Sequence, residues 1–316
     1  MKMSIRSYST ALATSLLLFT PLQHANAFPE EGLSLIVAYG AGGGTDVTAR
    51  MLANDLSATV GQPVTVQNVT GGGGWTGWGT LANAEPDGYT IGYINVPNLY
   101  AGFLNPETPR EENLSSFTPL MNHVTDYCVW AVRADSPYQT VADVIEAAKA
   151  GSVSLAAHGF GGDDHLALMR LEGMTGSSFN VIHNDSTAMS LTQVLGGHVA
   201  LVGANVSEVI AQEEAGELRI LGVMAPERSE FLPDVPTFRE QGFDQVWSVS
   251  RGIAAPAGLP DDQKQVLIGA LKETLNSEAH REAAKKLGLS IEIIEGEAYS
   301  TFLSETEGEI KKLMNW

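Results

Sequence analysis

Two glycine-rich runs hold the residues of this chain best placed to do chemistry. The first reads Tyr39-Gly40-Ala41-Gly42-Gly43-Gly44-Thr45-Asp46, the second Asn68-Val69-Thr70-Gly71-Gly72-Gly73-Gly74-Trp75-Thr76-Gly77. Each follows an apolar strand pattern and precedes a helical one. A turn of that kind points backbone N–H groups and a helix N-terminus at one spot, which attracts an anion without any basic side chain. The chemistry expected there is capture of a small negatively charged molecule.

Nucleotide binding fits the same residues poorly. A dinucleotide fingerprint needs a third glycine where this chain has Thr45, and an acid at the end of the second strand, where it has Gln67-Asn68. A phosphate-cradling P-loop needs Gly-Lys-Ser/Thr, and no lysine follows either run. No Gly-x-Ser-x-Gly elbow occurs, and Cys128 lies in the apolar run Tyr127-Cys128-Val129-Trp130 rather than at a helix start. His158 and His165, with Asp163 and Asp164 between them, lack the helical spacing of a zinc site. No catalytic residue, metal or cofactor is therefore expected.

The elements that must position these loops alternate along the chain. Leu33 to Tyr39 reads as a strand, and Thr45 or Asp46 is placed to cap a helix with Leu52, Leu56 and Val60 on one face. Val64-Thr65-Val66 is the next strand, a short helix runs through Leu81, and Tyr89 to Ile94 is a third strand. That order implies a parallel sheet with both loops at the C-terminal ends of its strands. A second unit begins after Phe117-Thr118-Pro119, with strands at Cys128–Val132, Val153–Ala156, Phe179–Ile182, Val199–Val202 and Leu218–Met224. Helices are expected over Thr140–Ala150, His165–Glu172, Ala188–Leu195 and Asp261–Asn276, with a last one ending at Trp316. Of the two tryptophans near the second loop, Trp75 is expected at the pocket and Trp78 in the core.

Residues 1–27 have the build of a cleavable secretory signal. Lys2 and Arg6 precede an apolar centre at Leu16-Leu17-Leu18-Phe19, and Ala25-Asn26-Ala27 offers a small-x-small cleavage site. The expected location is thus outside the cytoplasm, with no direct membrane insertion. The net charge of −19 argues against nucleic acid and anionic membrane surfaces as partners. A local nest of N–H groups can still hold an anion, because it acts at short range while salt screens the distant charge.

Several motifs recur together in one known family. They are Gly42-Gly43-Gly44-Thr45-Asp46-Val47-Thr48-Ala49-Arg50, Gly61-Gln62-Pro63-Val64, Pro86-Asp87-Gly88-Tyr89-Thr90, Gly196-Gly197 after Val194-Leu195, Leu232-Pro233-Asp234-Val235-Pro236-Thr237 and Ala255-Pro256-Ala257-Gly258. In this order the chain resembles the periplasmic solute-binding proteins of tripartite tricarboxylate transporters, the Bug family. The resemblance implies an α/β, two-lobed periplasmic binding protein of type II-like architecture with its ligand cleft between the lobes. It places residues 28–127 and 249–316 in lobe 1 and residues 128–248 in lobe 2.

The resemblance also implies which residues meet the ligand. Tyr39, Gly40, Ala41, Gly43, Gly44, Thr45 and Asp46 would hold the proximal carboxylate with Asn68, Gly73, Gly74, Trp75 and Thr76. Lobe 2 would add Gly159, Gly161, Gly162 and Asp163. Arg251 stands where many members carry a different pattern; it is read either as a bidentate partner for a second acidic group or as a structural ion pair across the hinge. Gly162 replaces a common serine and Ala200 a common aspartate, while the Gly161-Gly162-Asp163-Asp164-His165 and Arg251-Gly252 patterns look more like the citrate-binding branch. A di- or tricarboxylate ligand, membrane permease subunits as partners and a monomeric state are the corresponding expectations. A ligand sensor for a membrane kinase, with the same fold, is the alternative.

Overall fold

The computed structural model describes residues 28–316 apart from residue 152. The secretory signal expected over residues 1–27 lies outside the described residues. The chain opens with β1 (Leu33–Val37), α1 (Gly44–Val60), β2 (Val64–Asn68), α2 (Trp75–Ala82), β3 (Thr90–Val96) and α3 (Asn98–Leu104). A long strand, β4 (Phe117–Arg133), leads to α4 (Val141–Lys149), β5 (Val153–His158), α5 (Asp163–Thr175), β6 (Phe179–Asn184) and α6 (Thr187–Leu195). Next come β7 (Leu201–Asn205), α7 (Val206–Glu214), β8 (Leu218–Val223) and β9 (Ser248–Pro256). The chain closes with α8 (Asp261–Asn276), α9 (Glu278–Lys286), β10 (Ile291–Glu295) and α10 (Gly296–Met314).

The strands join in the order β2-β1-β3-β9-β4-β7-β5-β6, with β8 and β10 also on β4. β1 pairs in parallel with β2 and β3, as the opening strand–helix alternation implies. Helices cover both faces of these strands, so β1 and β3 are apolar along most of their length rather than alternating. β5 lies parallel to β6 and β7 in the second lobe.

β4 belongs to both lobes. Its first part runs antiparallel to β9, from Phe117 opposite Pro256 to Tyr127 opposite Ser248. Its second part, from Cys128 onward, pairs with β7 and β8. The sequence predicts only Cys128–Val132 as strand, because Asn122, His123 and Asp126 interrupt the apolar pattern before it. These residues are buried and hydrogen-bonded instead: Asn122 donates to the Glu292 carbonyl at 2.7 Å, and His123 bridges the Tyr93 hydroxyl and His280 at 2.7 and 2.9 Å. Satisfied partners remove the cost that would otherwise keep such groups out of an inner strand.

Two helix starts differ from the sequence expectation. α1 begins at Gly44 with Gly43 as its N-cap and no side-chain cap; α5 begins at Asp163, after Gly162, rather than at His165. α3, α7, α9 and β10 are short elements that the apolar periodicity does not reveal. The lobe 1 core gathers Leu35, Leu52, Leu56, Trp78, Tyr93 and Ile253. Lobe 2 has one cluster on each side of its sheet, around Trp130, Ile145 and Phe238 and around Val129, Val202 and Val209. Full burial of each such aliphatic or Phe side chain contributes about 1.5–3 kcal/mol. These cores make the lobes rigid supports for the loops between them.

Candidate functional site

The first glycine loop leaves β1 at Val37 and enters α1 at Gly44. Asp46 ties it down. Its carboxylate accepts from the Gly42 N–H, from Arg50 Nε and Nη2, and from Asn68 Nδ2, all at 2.9 Å. Asn68 Nδ2 also donates to the Tyr39 carbonyl at 2.9 Å. Burial alone would raise the Asp46 carboxyl; the hydrogen bonds from Arg50, Gly42 and Asn68 outweigh it and hold the group below its usual range. Asp46 therefore braces the loop from behind.

At the mouth of α1 the two lobes meet. The Gly44 N–H donates to Oε1 of Glu208, on α7, at 3.0 Å. The other Glu208 oxygen accepts the Asn205 N–H at 3.0 Å. Arg251, on β9, lies against the same turn. A Cβ at position 44 would clash with the Arg251 guanidinium and come within 2.8 Å of Glu208 Oε1, so only glycine allows this approach. Thr45 faces the same space, and its hydroxyl accepts from Asn95 Nδ2 at 2.8 Å.

Arg251 is an ion-pair partner in this arrangement. Its Nη1 donates to Asp126 at 2.7 Å and its Nη2 to Asn205 Oδ1 at 3.2 Å, with both charged side chains almost wholly buried. Burial opposes its charge, but the carboxylates of Asp126 and Glu208 outweigh that and raise its pKa. Asp163 is likewise occupied, accepting from Asn98 at 3.0 Å, Asn205 at 2.9 Å and the Cys128 thiol at 3.5 Å. Burial pushes up the carboxyls of Glu208 and Asp164 and the Cys128 thiol. The ligand atoms of Cys128, Asp163 and Asp164 lie within 4.8 Å of one another, and within this group the Cys128 thiol donates to Asp163.

Two cavities flank this junction. The inner one encloses about 20 Å³ and the outer one about 370 Å³. Tyr39, Gly40, Gly43, Gly44, Thr45, Asp163 and Arg251 line the inner cavity, among the residues expected from the sequence. Tyr39, Gly73, Gly74, Trp75 and Gly159 line the outer one. The structure thus does not gather both glycine loops around one point: the first faces the inner cavity and the second the outer. Ala41, Asp46, Asn68, Thr76, Gly161 and Gly162 line neither.

Those off-cavity residues shape the site instead. Gly161, at φ 73°, packs so closely on Ala101 across the cleft that a Cβ would collide with it. Its N–H donates to His165 Nδ1 at 3.0 Å, and Gly162 is the α5 N-cap. Trp75 is nearly buried but touches the outer cavity, while Trp78 is fully buried. Sequence reading misses Asn95, Asn98, Asn205 and Glu208 in the inner cavity and Arg110 in the outer. The Asn205-x-x-Glu208 spacing is a capping-box signature, and it would have revealed α7.

Comparison with known proteins agrees with this architecture. Residues 48–315 match the family described as tripartite tricarboxylate transporter family receptor. The chain is 30% identical over 295 residues to the UPF0065 protein in the gbd 5' region of Cupriavidus necator, covering 92% of this chain and 88% of that protein. It is 31% identical over 265 residues to BugT of Bordetella pertussis, covering 82% and 81%. The structure of the periplasmic binding protein BugD superposes with a TM-score of 0.85 at 28% identity, over 91% of this chain and 98% of that one. By matched span, identity and fold, the chain belongs to the tripartite tricarboxylate transporter receptor family.

Proposed function

We propose that this protein is a periplasmic solute-binding protein that captures a small di- or tricarboxylate and delivers it to the permease of a tripartite tricarboxylate transporter. In this reading residues 1–27 are removed on export. Residues 28–127 with 249–316 form the lobe that first meets the ligand, and residues 128–248 form the lobe that closes over it. The hinge is where β4 and the segment entering β9 cross, at the Cys128–Trp247 hydrogen bond of 3.0 Å. The protein works as a monomer.

One observation carries the proposal: the mouth of α1 holds a carboxylate, that of Glu208. The Gly44 N–H and the positive end of the helix dipole already do for Glu208 what they would do for a ligand's acid group. The ligand carboxylate takes that position on lobe 1 while the cleft is open, and Glu208 swings away with lobe 2. Closure then buries the ligand between Tyr39, Thr45, Asn95 and Asn98, whose polar atoms line the inner cavity. A closed, ligand-filled form is the state a permease would recognise.

Calorimetric titration with citrate, malate, succinate, benzoate and the common amino acids tests this reading. Saturable binding of one or more di- or tricarboxylates is expected, with a rise in melting temperature because the ligand binds only the folded state. Binding of none of the carboxylates would overturn it.

A further inference from the structure

Four polar side chains that the cleft does not use form one line through lobe 1. The Tyr93 hydroxyl lies 2.7 Å from His123 Nδ1, His123 Nε2 lies 2.9 Å from His280 Nε2, and His280 Nδ1 lies 2.7 Å from a carboxylate oxygen of Asp55. They come from β3, β4, α9 and α1. Tyr93, His123 and His280 are fully buried, and the Asp55 side chain reaches solvent with 21% of its surface.

The chemistry of the groups fixes the direction of every hydrogen bond in this line. A carboxylate only accepts, so His280 Nδ1 carries a hydrogen and, in a neutral ring, its Nε2 is an acceptor. His123 Nε2 therefore donates to it, which leaves His123 Nδ1 to accept from the Tyr93 hydroxyl. Each ring nitrogen is used once, and no place is left for another proton. A proton on His280 Nε2 or His123 Nδ1 puts two hydrogens into one contact. Reversing the His123 tautomer to relieve this would leave the Tyr93 O–H, which has no second partner among the described residues, buried and unmatched.

The surrounding charges also favour neutral rings. Burial is the main cause that lowers both histidines below their usual range. His280 and Arg251 of β9 lower His123 further, while for His280 the pull of Asp55 is opposed by Arg281 of α9. Among the described residues, α8, α10 and β10 also pack on β4 and add no charge that acts on either ring. Burial raises the Tyr93 hydroxyl, so it keeps its proton. An unfolded chain thus takes up protons that the folded one refuses. The stabilisation is complete above about pH 6.5 and is lost as pH falls below it.

α9 depends on this line for its place. Its nine residues bury only His280 and Ala284, and so short a helix is marginal by itself. The turn that follows α9 reaches the second lobe: a Cβ on Gly288, at φ 67°, would lie 3.3 Å from Ile210 and 3.6 Å from the Ser207 Cα, both on α7. Leu287 and Leu289, on either side of Gly288, line a further cavity of about 270 Å³ together with Gly44 and Glu208. We propose that the Tyr93–His123–His280–Asp55 line is a proton-sensitive clasp: a proton taken from solvent by either ring breaks one contact in it and frees α9, together with the turn that α9 holds against the second lobe. The clasp is independent of what the cleft binds.

The test uses the exported form of the protein, free of ligand. NMR of nitrogen-labelled histidine rings at pH 7 should show hydrogen on His280 Nδ1 and on His123 Nε2. Amide hydrogen exchange, corrected for its intrinsic dependence on pH, should show α9 losing about tenfold in protection between pH 7 and 5.5, the effect of one proton taken up on opening. α8, with Leu267, Leu271 and Leu275 in the lobe 1 core, should keep its protection over that interval. His280→Gln keeps a hydrogen-bonding side chain and removes one titrating ring, so its α9 protection should start lower at pH 7 and change less. Opposite tautomers, α9 protection that holds down to pH 5.5, or an equally steep loss in His280→Gln would overturn the clasp. If His280→Gln does not fold, the two measurements on the parent decide.

Discussion

Glu208, on the second lobe, receives the Gly44 N–H at 3.0 Å across the cleft. A carboxylate of the protein thereby occupies the helix mouth proposed for the ligand. With a second oxygen on the Asn205 N–H, the same side chain caps α7 and closes the cleft.

The relationship predicts competition between Glu208 and the ligand. Glu208→Gln removes a negative charge facing the incoming carboxylate but keeps one acceptor for Gly44. Calorimetry is expected to show carboxylate affinity about 3- to 10-fold higher in this variant, the effect of relieving a like charge in a partly buried site. The pH dependence follows in sign. Burial raises the Glu208 carboxyl, so acidification from neutral pH neutralises it before an ordinary ligand carboxylate is lost. Parent affinity should therefore increase on moving from pH 7 towards about 5, and the Gln variant should be flatter over that interval. A parent profile as flat as the variant's would count against the competition.

Arg251 predicts a different signature. Replacing it with Ala leaves the Asp126 carboxylate buried without its cation, a loss expected to cost about 3–5 kcal/mol in urea unfolding. The Arg251→Ala, Asp126→Ala double variant should recover part of that, since the charge left unpaired is gone as well. Ligand affinity in Arg251→Ala should fall alike for monocarboxylates and dicarboxylates. A selective loss of dicarboxylates would make Arg251 a ligand contact.

Asp46 predicts an acid-sensitive loop. Hydrogen bonds hold its carboxyl below the usual value, so its stabilising contribution is present above the unfolded pKa and disappears as pH falls through the folded one. Asp46→Asn should lower stability at neutral pH by about 1–2 kcal/mol, a figure discounted because Arg50 is half-exposed. The deficit should shrink as pH drops below about 4. Denaturant titrations of both proteins at pH 7, 5 and 3 check this; a deficit that stays constant would contradict it.

Gly161 predicts a block to closure. A Cβ there collides with Ala101 of the opposite lobe, and the residue's φ of 73° adds about 1 kcal/mol of backbone cost. In Gly161→Ala, small-angle scattering with saturating ligand should keep the radius of gyration of the open form, whereas the parent contracts. Contraction in both proteins would show that the contact does not control closure.

The β1–α1–β2–α2–β3 unit was legible because its strands are apolar along their length and its helices repeat every three to four residues. Leu35 and Ile91 are fully buried where that pattern puts them. The signals failed where polar residues are buried in pairs. Asn122, His123 and Asp126 broke the apolar pattern of β4, and their partners come from residues 292, 280 and 207, far along the chain. Asp46 was read as a helix cap from its place in sequence, but its oxygens face Gly42, Arg50 and Asn68, a geometry set by the packing of β2 beside β1.

By itself, the sequence determined the family, through the motifs it shares with that family in order, and the parallel sheet of the first lobe and the two glycine turns, which rest on local pattern: strand and helix periodicity, and backbone shapes that favour glycine. Only the tertiary structure decided what each turn faces. The fold brings Glu208 of α7 to Gly44 and sets Arg251 of β9 on Asp126 of the neighbouring β4, while Arg110 and Trp75 meet over the second turn. Electrostatic partners are chosen by distance in space, and those distances come from the fold of β4 and β9 between two lobes rather than from neighbouring positions in the chain.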